Sequence, residues 1–348
     1  MKILFAGLGS IGQRHLRNLL SLRDTSIKVS AFRSTKSAPL LRENREPEHE
    51  VDIAKHYGVA VFDDIETALE EKPDITFVTN PNSLHINIAL AAASVGSDLF
   101  IEKPLSHNFD GIDELSDVVE RHNSIVGLGY QYRFHPGIVR AKRWLERGRI
   151  GNPVSADFVN GEYMPSWHPW EDYRLSYGAR ADLGGGAIVS QIHEFDLLYW
   201  MFGLPESVFA VGGHLSSLEI DVEDSVSALF RVPLQNGVIP VSVHLDYLQK
   251  PPVRCFTIVG EKGRIVWHEQ RKLTTLELIE GDVVEEYLFS DFERNEMFAG
   301  ELLDFLQSVR LRQSPSVDLE AGICSLQMSL AARDSMQSGD RVLISNLV

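Results

Sequence analysis

Two residues stand in surroundings suited to proton chemistry, Lys103 and His193. Lys103 ends the run Asp98-Leu-Phe-Ile-Glu-Lys-Pro104, where an apolar strand leads into a lysine set between a glutamate and a proline. Proline has no amide donor and biases the preceding residue toward extended geometry, so Lys103 leaves a sheet edge in a defined direction and holds a cation there. His193 follows the triple glycine Gly184-Gly-Gly186 on a helical pattern that also carries Glu194 and Asp196. His193 and Asp196, three apart, can share a helix face, with Leu197, Leu198 and Phe202 as apolar cover. An imidazole beside a fixed ammonium can move a proton and stabilise a developing oxyanion.

The elements that must position these groups begin at the N-terminus. Lys2-Ile-Leu-Phe-Ala6 reads as a buried parallel strand, followed by Gly7-Leu-Gly9-Ser-Ile-Gly12 and a helix with Ile11, Leu16, Leu19 and Leu20 on one face. In strand, glycine turn and helix, Gly7 permits the tight turn, Gly9 lets backbone approach a pyrophosphate and Gly12 allows close helix packing. The helix N-terminus then receives the phosphates. A second strand, residues 27–32, ends in Arg33-Ser-Thr-Lys36 without the carboxylate that an NAD-selective site places on the ribose hydroxyls. Arg33, Ser34 and Lys36 suit a 2'-phosphate, while an arginine stacked on adenine would also accept NAD, so both NAD and NADP stand as cofactors. Residues 40–54 are charged and read as a surface segment.

Strands at 59–62 and 75–79 flank a helix at 65–71, and Thr79-Asn-Pro-Asn82 is turn chemistry at a strand end, with Ser83 as a helix cap. The full nucleotide-binding set expected is Gly7, Gly9, Ser10, Ile11, Gly12, Arg33, Ser34, Thr79, Asn80, Asn82, His85, Glu102 and Lys103. A helix at 107–122 completes the first domain, 1–124, and residues 125–130 cross into the second, 125–348. Past a helix at 136–147, strands at 154–159, 208–215, 225–232, 238–247, 253–259 and 264–268 suggest a largely antiparallel sheet closed by helices at 292–312 and 318–338. One face of such a sheet needs cover, so a homodimer or homotetramer through it is expected.

The chain has 348 residues, a formal charge of −16 and two cysteines, Cys255 and Cys324, in no metal or redox spacing. Two domains suit that length, and the acidic balance argues against nucleic-acid and membrane-surface partners. No metal ligand set, disulfide framework, secretory h-region or membrane-length apolar run is visible, so a reducing cytoplasm is expected.

Gly7-Leu-Gly9-Ser-Ile-Gly12, Glu102-Lys103-Pro104, Tyr132-Arg133-Phe134-His135-Pro136 and Gly184-Gly-Gly186 with His193 together resemble the Gfo/Idh/MocA oxidoreductases over nearly the whole chain. The resemblance implies an α/β protein: a Rossmann doubly wound parallel sheet and a C-terminal α/β domain with an open mixed sheet. It further implies nicotinamide at the domain junction and hydride exchange with a carbon of a sugar, cyclitol or related compound. Lys103 and His193 are then the groups serving the reacting hydroxyl. Many members carry an aspartate four residues before the histidine; here Val189 stands there, and Ser190 lies where the spacing from the glycines would put the acid. Oxidising a secondary alcohol needs a base for the hydroxyl proton and a cation for the alkoxide. His193 as base and Lys103 as donor satisfy this, and so does the reverse.

For the substrate, the loop Glu162-Tyr-Met-Pro-Ser-Trp-His-Pro-Trp-Glu-Asp-Tyr-Arg174 offers Trp167 and Tyr173 to stack on a sugar, and Arg174 or Arg180 to fork onto phosphate. Arg133, Lys103, Ser190 and His193 complete the expected substrate set. The same loop could instead pack at a subunit contact. Its resemblance is to branches acting on nucleotide sugars, for example at C3 of a UDP-N-acetylhexosamine. A free sugar or cyclitol, a shuttle with tightly held cofactor and a non-catalytic dinucleotide sensor are the competing expectations.

Overall fold

The computed structural model describes residues 1–34, 38–42, 44, 46–279 and 283–344. The chain divides into two compact units, one of Met1–Tyr130 with Phe298–Gly322, the other of Gln131–Met297 with the residues from Ile323 on.

In the first unit the elements run β1 (Lys2–Ala6), α1 (Ser10–Ser21), β2 (Lys28–Phe32), β3 (Leu40–Leu41), β4 (Pro47–Glu48), α2 (Ile53–Tyr57) and β5 (Ala60–Phe62). They continue with α3 (Ile65–Glu70), β6 (Ile75–Val78), α4 (His85–Ser94), β7 (Asp98–Ile101), α5 (Ile112–His122) and β8 (Val126–Leu128). The six-stranded sheet has the order β5-β2-β1-β6-β7-β8 and every pairing is parallel. Strand order reverses between β1 and β6, and ligands of open α/β sheets bind outside the carboxyl ends of strands at such a point. Phe5 stacks on Phe77 with centroids 4.6 Å apart, and Phe100 packs against Phe77 at 5.1 Å, which fills the sheet's core.

Four expectations change here. Residues 125–130 were read as the crossing to the second domain, yet Val126–Leu128 pairs with β7 as the sixth parallel strand and the unit continues to Tyr130. The unit also takes back Phe298–Gly322, whose Leu302, Phe305 and Leu306 are buried in its core. Residues 40–54, read as surface, contain Leu40, Leu41 and Ile53, each no more than 3% exposed. Apolar residues spaced among charges hid that small anchor. Ser83 caps no helix: it lies in a short 3-10 turn, Asn82–Leu84, ahead of α4.

The second unit contains α6 (Pro136–Glu146), β9 (Pro153–Gly161), α7 (Ala187–Ser190), α8 (His193–Phe202), β10 (Ser207–Gly213), β11 (Ser225–Leu234), β12 (Gly237–Asp246), β13 (Val253–Gly260) and β14 (Gly263–His268). Two strands that the sequence reading passed over follow, β15 (Leu273–Leu278) and β16 (Val283–Leu288). The chain ends in α9 (Asn295–Leu311), α10 (Leu319–Ser338) and β17 (Val342–Leu343). The nine-stranded sheet runs β16-β15-β14-β13-β9-β12-β11-β10-β17, with β12 and β9 parallel and the other pairs antiparallel. It is therefore the open, largely antiparallel mixed sheet expected. Among the described residues, no helix is long and apolar enough to cross a membrane.

Candidate active site

In the first unit the glycine turn is built by close approach. Gly7 has φ +112°, and a Cβ there would sit 2.9 Å from the Thr79 carbonyl, while one on Gly12 would meet the Gly7 oxygen at 2.4 Å. Thr79 Oγ1 donates to the Gly7 carbonyl at 2.7 Å, which ties the end of β6 to the turn. A Cβ on Gly9, by contrast, would meet nothing within 4 Å. Gly9 is also the N-cap of α1 and supplies no side-chain cap, so the first-turn amides of α1 face that open space without one.

Two of the orphaned polar atoms in this unit belong to residues expected on the cofactor. Arg33 Nη2 and Asn80 Oδ1 are buried with no hydrogen-bond partner among the described residues. Burial pulls the Arg33 guanidinium below its ordinary value, and Asp52 partly restores it. A donor and an acceptor waiting near an uncapped helix suit a dinucleotide. Ser34 is exposed, Ser10 and Ile11 are half-buried, and Lys36 lies outside the described residues. Asn82 is buried.

His85 was expected on the cofactor but is 1% exposed, with Nδ1 2.7 Å from the Pro104 oxygen and Nε2 2.9 Å from the Asn80 oxygen. It ties the Asn80 turn to the Lys103 turn instead. Burial lowers its pKa, partly offset by the two carbonyls. Glu102 is likewise buried, and its Oε2 accepts the Lys103 amide at 3.1 Å. Lys103 itself is half-buried, and the Lys103–Pro104 peptide is cis.

In the second unit the triple glycine makes the turn before α7. A Cβ on Gly185 would lie 2.4 Å from the Tyr177 oxygen, and Gly186 has φ +109°. His193 opens α8 at 5% exposure; its Nε2 is 3.3 Å from Gln131 Nε2, and its ring meets Tyr132 edge-on at 5.1 Å. The sequence placed Glu194 and Asp196 beside this imidazole, but both face arginines. Asp196 accepts Arg133 Nη2 at 2.6 Å and Nε at 3.0 Å, and Glu194 accepts Arg254 Nε at 2.7 Å. Burial raises both carboxyls, and the guanidiniums partly offset it. Arg133, expected on the substrate, thus anchors α8. Arg254 also lies 3.5 Å over the Tyr132 ring.

Ser190 is 4% exposed, and the phenol of the buried Tyr247 donates to the Gly178 oxygen at 3.2 Å. Trp167 packs edge-on against Tyr247 at 5.0 Å, with its indole nitrogen buried and unpartnered among the described residues. Tyr173 accepts the Glu219 amide at 3.2 Å. Arg174 is paired with Asp172 at 2.6 Å and Glu219 at 3.0 Å, and Arg180 with Asp182 at 2.5 Å; all three pairs are exposed. Sequence reasoning assigned no role to Gln131, Tyr132 or Arg254. In the sequence, only the adjacency of Tyr132 to Arg133 in Tyr132-Arg133-Phe134-His135-Pro136 points toward them.

A glycine-turn dinucleotide fold joined to a mixed-sheet unit with a histidine on the helix after a triple glycine defines a nicotinamide-dependent oxidoreductase class. The chain matches the oxidoreductase family model with NAD-binding Rossmann fold over residues 1–130 and the GFO/IDH/MocA C-terminal domain over 138–266, and it belongs to that family. It is 28% identical to myo-inositol 2-dehydrogenase of Thermotoga maritima over 356 residues, covering 100% of each chain. In fold it is similar to levoglucosan dehydrogenase in complex with NADH and levoglucosan, with TM-score 0.82, 19% identity and 99% and 98% of the two chains covered. It is similar likewise to the WlbA dehydrogenase of Bordetella pertussis in complex with NADH and UDP-GlcNAcA, with TM-score 0.78, 20% identity and the same coverage.

Proposed function

We propose that this protein uses NAD or NADP to oxidise a secondary hydroxyl of a polyhydroxylated ring, a cyclitol or free sugar, with Lys103 and His193 serving that hydroxyl. Bound nicotinamide supplies the hydride acceptor. The open space at Gly9, the uncapped start of α1, Arg33 and Asn80 hold the dinucleotide. His193 takes the hydroxyl proton: the two carboxylates of its helix pair with arginines rather than with the imidazole, and its Nε2 lies 3.3 Å from Gln131 Nε2. Lys103 stabilises the developing alkoxide.

The observation that carries the substrate class is the state of the loop arginines. Arg174 and Arg180, the residues that would grip a diphosphate, already pair with carboxylates of their own loop and its neighbour. A ring presenting only hydroxyls does not need them. A nucleotide sugar such as a UDP-N-acetylhexosamine, oxidised at C3, is the second reading. It is favoured by the exposure of those pairs, because surface ion pairs are worth about 0–1 kcal/mol and open easily.

The test incubates the protein with NAD or NADP and myo-inositol, levoglucosan, D-glucose or UDP-N-acetylglucosamine, following absorbance of the reduced nicotinamide. Turnover of one of the first three is expected. Reduction with the UDP-sugar alone moves the assignment to the second reading, and no reduction with any of them removes the sugar assignment. Lys103→Ala and His193→Asn should each lose roughly 10² to 10⁴ in kcat while binding NADH nearly as wild type, the range for a positioned proton-transfer group. A loss within a few-fold would exclude that residue from the chemistry.

A further inference from the structure

His15 of α1, Glu102 after β7 and Glu301 of α9 meet in the interior of the first unit, at 0%, 5% and 2% exposure. Their nitrogen and carboxylate atoms lie within 4.8 Å of one another. His15 Nε2 is 2.6 Å from Glu102 Oε1 and 3.9 Å from Glu301 Oε1. The rings of Phe77, Phe100 and Phe298 surround the imidazole, with centroids at 5.9, 4.9 and 6.0 Å. Backbone closes the remaining side, for a Cβ on Gly129 would fall 2.9 Å from the Glu102 carboxyl. Arg14 lies over Phe298 at 4.6 Å, behind that ring.

Two carboxylates in so apolar a place cannot both stay ionised. Glu102 has the donors: His15 Nε2 on Oε1 and the Lys103 amide on Oε2. Glu301 has no hydrogen-bond partner on either oxygen among the described residues. Burial, with the neighbouring Glu102 charge added, pushes the Glu301 carboxyl well above the usual carboxylate range. A bound divalent ion is the other way to resolve such a cluster. It would spread its ligands to roughly 3 Å or more around bonds of about 2.0–2.2 Å, whereas the 2.6 Å contact of His15 with Glu102 is that of a direct hydrogen bond.

We propose that His15, Glu102 and Glu301 form one buried unit holding a single negative charge, on Glu102, and that this charge fixes the turn carrying Lys103. His15 and Glu301 are thus positioning residues, acting on the lysine through Glu102 and never touching substrate. The turn is held from its other side by His85 on the Pro104 oxygen. The inference rests on the role given to Lys103 above.

The test compares wild type with Glu102→Gln and His15→Asn by amide hydrogen exchange across residues 98–106, by NADH affinity and by kcat on the substrate that responds in the panel. Exchange at the Lys103 amide should quicken roughly tenfold or more, as local opening becomes easier. NADH affinity should hold, and kcat should fall about 10- to 100-fold with KM little changed, the scale of a misplaced catalytic group. In a Lys103→Ala background, Glu102→Gln should bring no further loss. Unchanged exchange at Lys103, or an additive loss in that background, overturns the proposal. Undiminished turnover in Lys103→Ala alone would instead remove the catalytic role of the lysine, with the exchange result left standing.

A proton on Glu301 makes a separate prediction. The folded-state pKa is raised above the ordinary value of 4.5, so its contribution to stability is complete below that pH and lost as pH rises toward the folded-state value. Tm of wild type should therefore decline relative to Glu301→Gln, or to Glu301→Met if the amide variant folds poorly, as pH rises above the ordinary value of 4.5. Parallel curves, or stoichiometric metal in the purified wild type by elemental analysis, overturn the assignment.

Discussion

Arg33 shows how far a single residue can be read before its neighbours are known. From the sequence it was a cation where an NAD-selective site keeps an acid, open to a 2'-phosphate or to stacking on adenine. In the structure it is half-buried with Nη2 unpartnered among the described residues, so one of its donors is available to an anion. Arg33→Ala should weaken NADP by about 1.5–3 kcal/mol, the range for a hydrogen bond to a charged group, and leave NAD nearly unchanged. Fluorescence titration with both reduced cofactors checks this, and equal losses would mean that Arg33 only stacks. Gly7, Gly12 and the Lys103 turn were legible because their meaning is local, set by residues next to them in the chain. Arg133 was not, because the carboxylate that claims it is 63 residues away. Arg174 and Arg180 look free in sequence and are paired in space, a difference that only side-chain geometry reveals.

At the scale of elements, α8 is the part on which the second unit's chemistry depends. Arg254 grips Glu194 and Arg133 grips Asp196, each pair buried, so the first turn of the helix is pinned twice just after His193. Breaking a buried pair leaves one uncompensated charge and costs about 3–5 kcal/mol, whereas replacing both partners by apolar groups is often close to neutral. Arg133→Met should lower urea stability by that amount, and Arg133→Met with Asp196→Leu should recover much of it. Equal stabilities of the single and double variants would show that the pair is not what holds the helix. Alternation of apolar and polar residues made six of the second sheet's strands readable. β15 and β16 escaped because they are placed by pairing with β14 and with each other rather than by any distinctive run of their own. The parallel pairing of β12 with β9 is likewise a property of topology that no single segment displays.

At the scale of the whole molecule, the outer face of the second sheet carries apolar side chains in register. Phe209 stands opposite Leu229 and Val211 opposite Ser227, and Phe209, Val211, Leu229 and Val238 are 44%, 63%, 49% and 43% exposed. Exposed apolar patches on a sheet mark interaction surfaces. We propose that a second copy of the chain covers this one, giving a homodimer or homotetramer. Sedimentation of wild type should report the multiple, and Val211→Asp with Leu229→Asp should shift the mass toward one chain. A monomeric wild type would remove the expectation.

The return of Phe298–Gly322 to the first unit also governs how the protein is made. Phe305 packs 5.4 Å from Phe100 and 6.0 Å from Phe77, so the dinucleotide unit lacks part of its interior until Phe298–Gly322 has been synthesised. At roughly 5–20 residues per second, the nascent first 130 residues wait about 10 to 40 s for that segment to leave the ribosome. During that interval aromatic surface on β6 and β7 stays incompletely covered, and such transiently exposed surface favours aggregation of the partial chain.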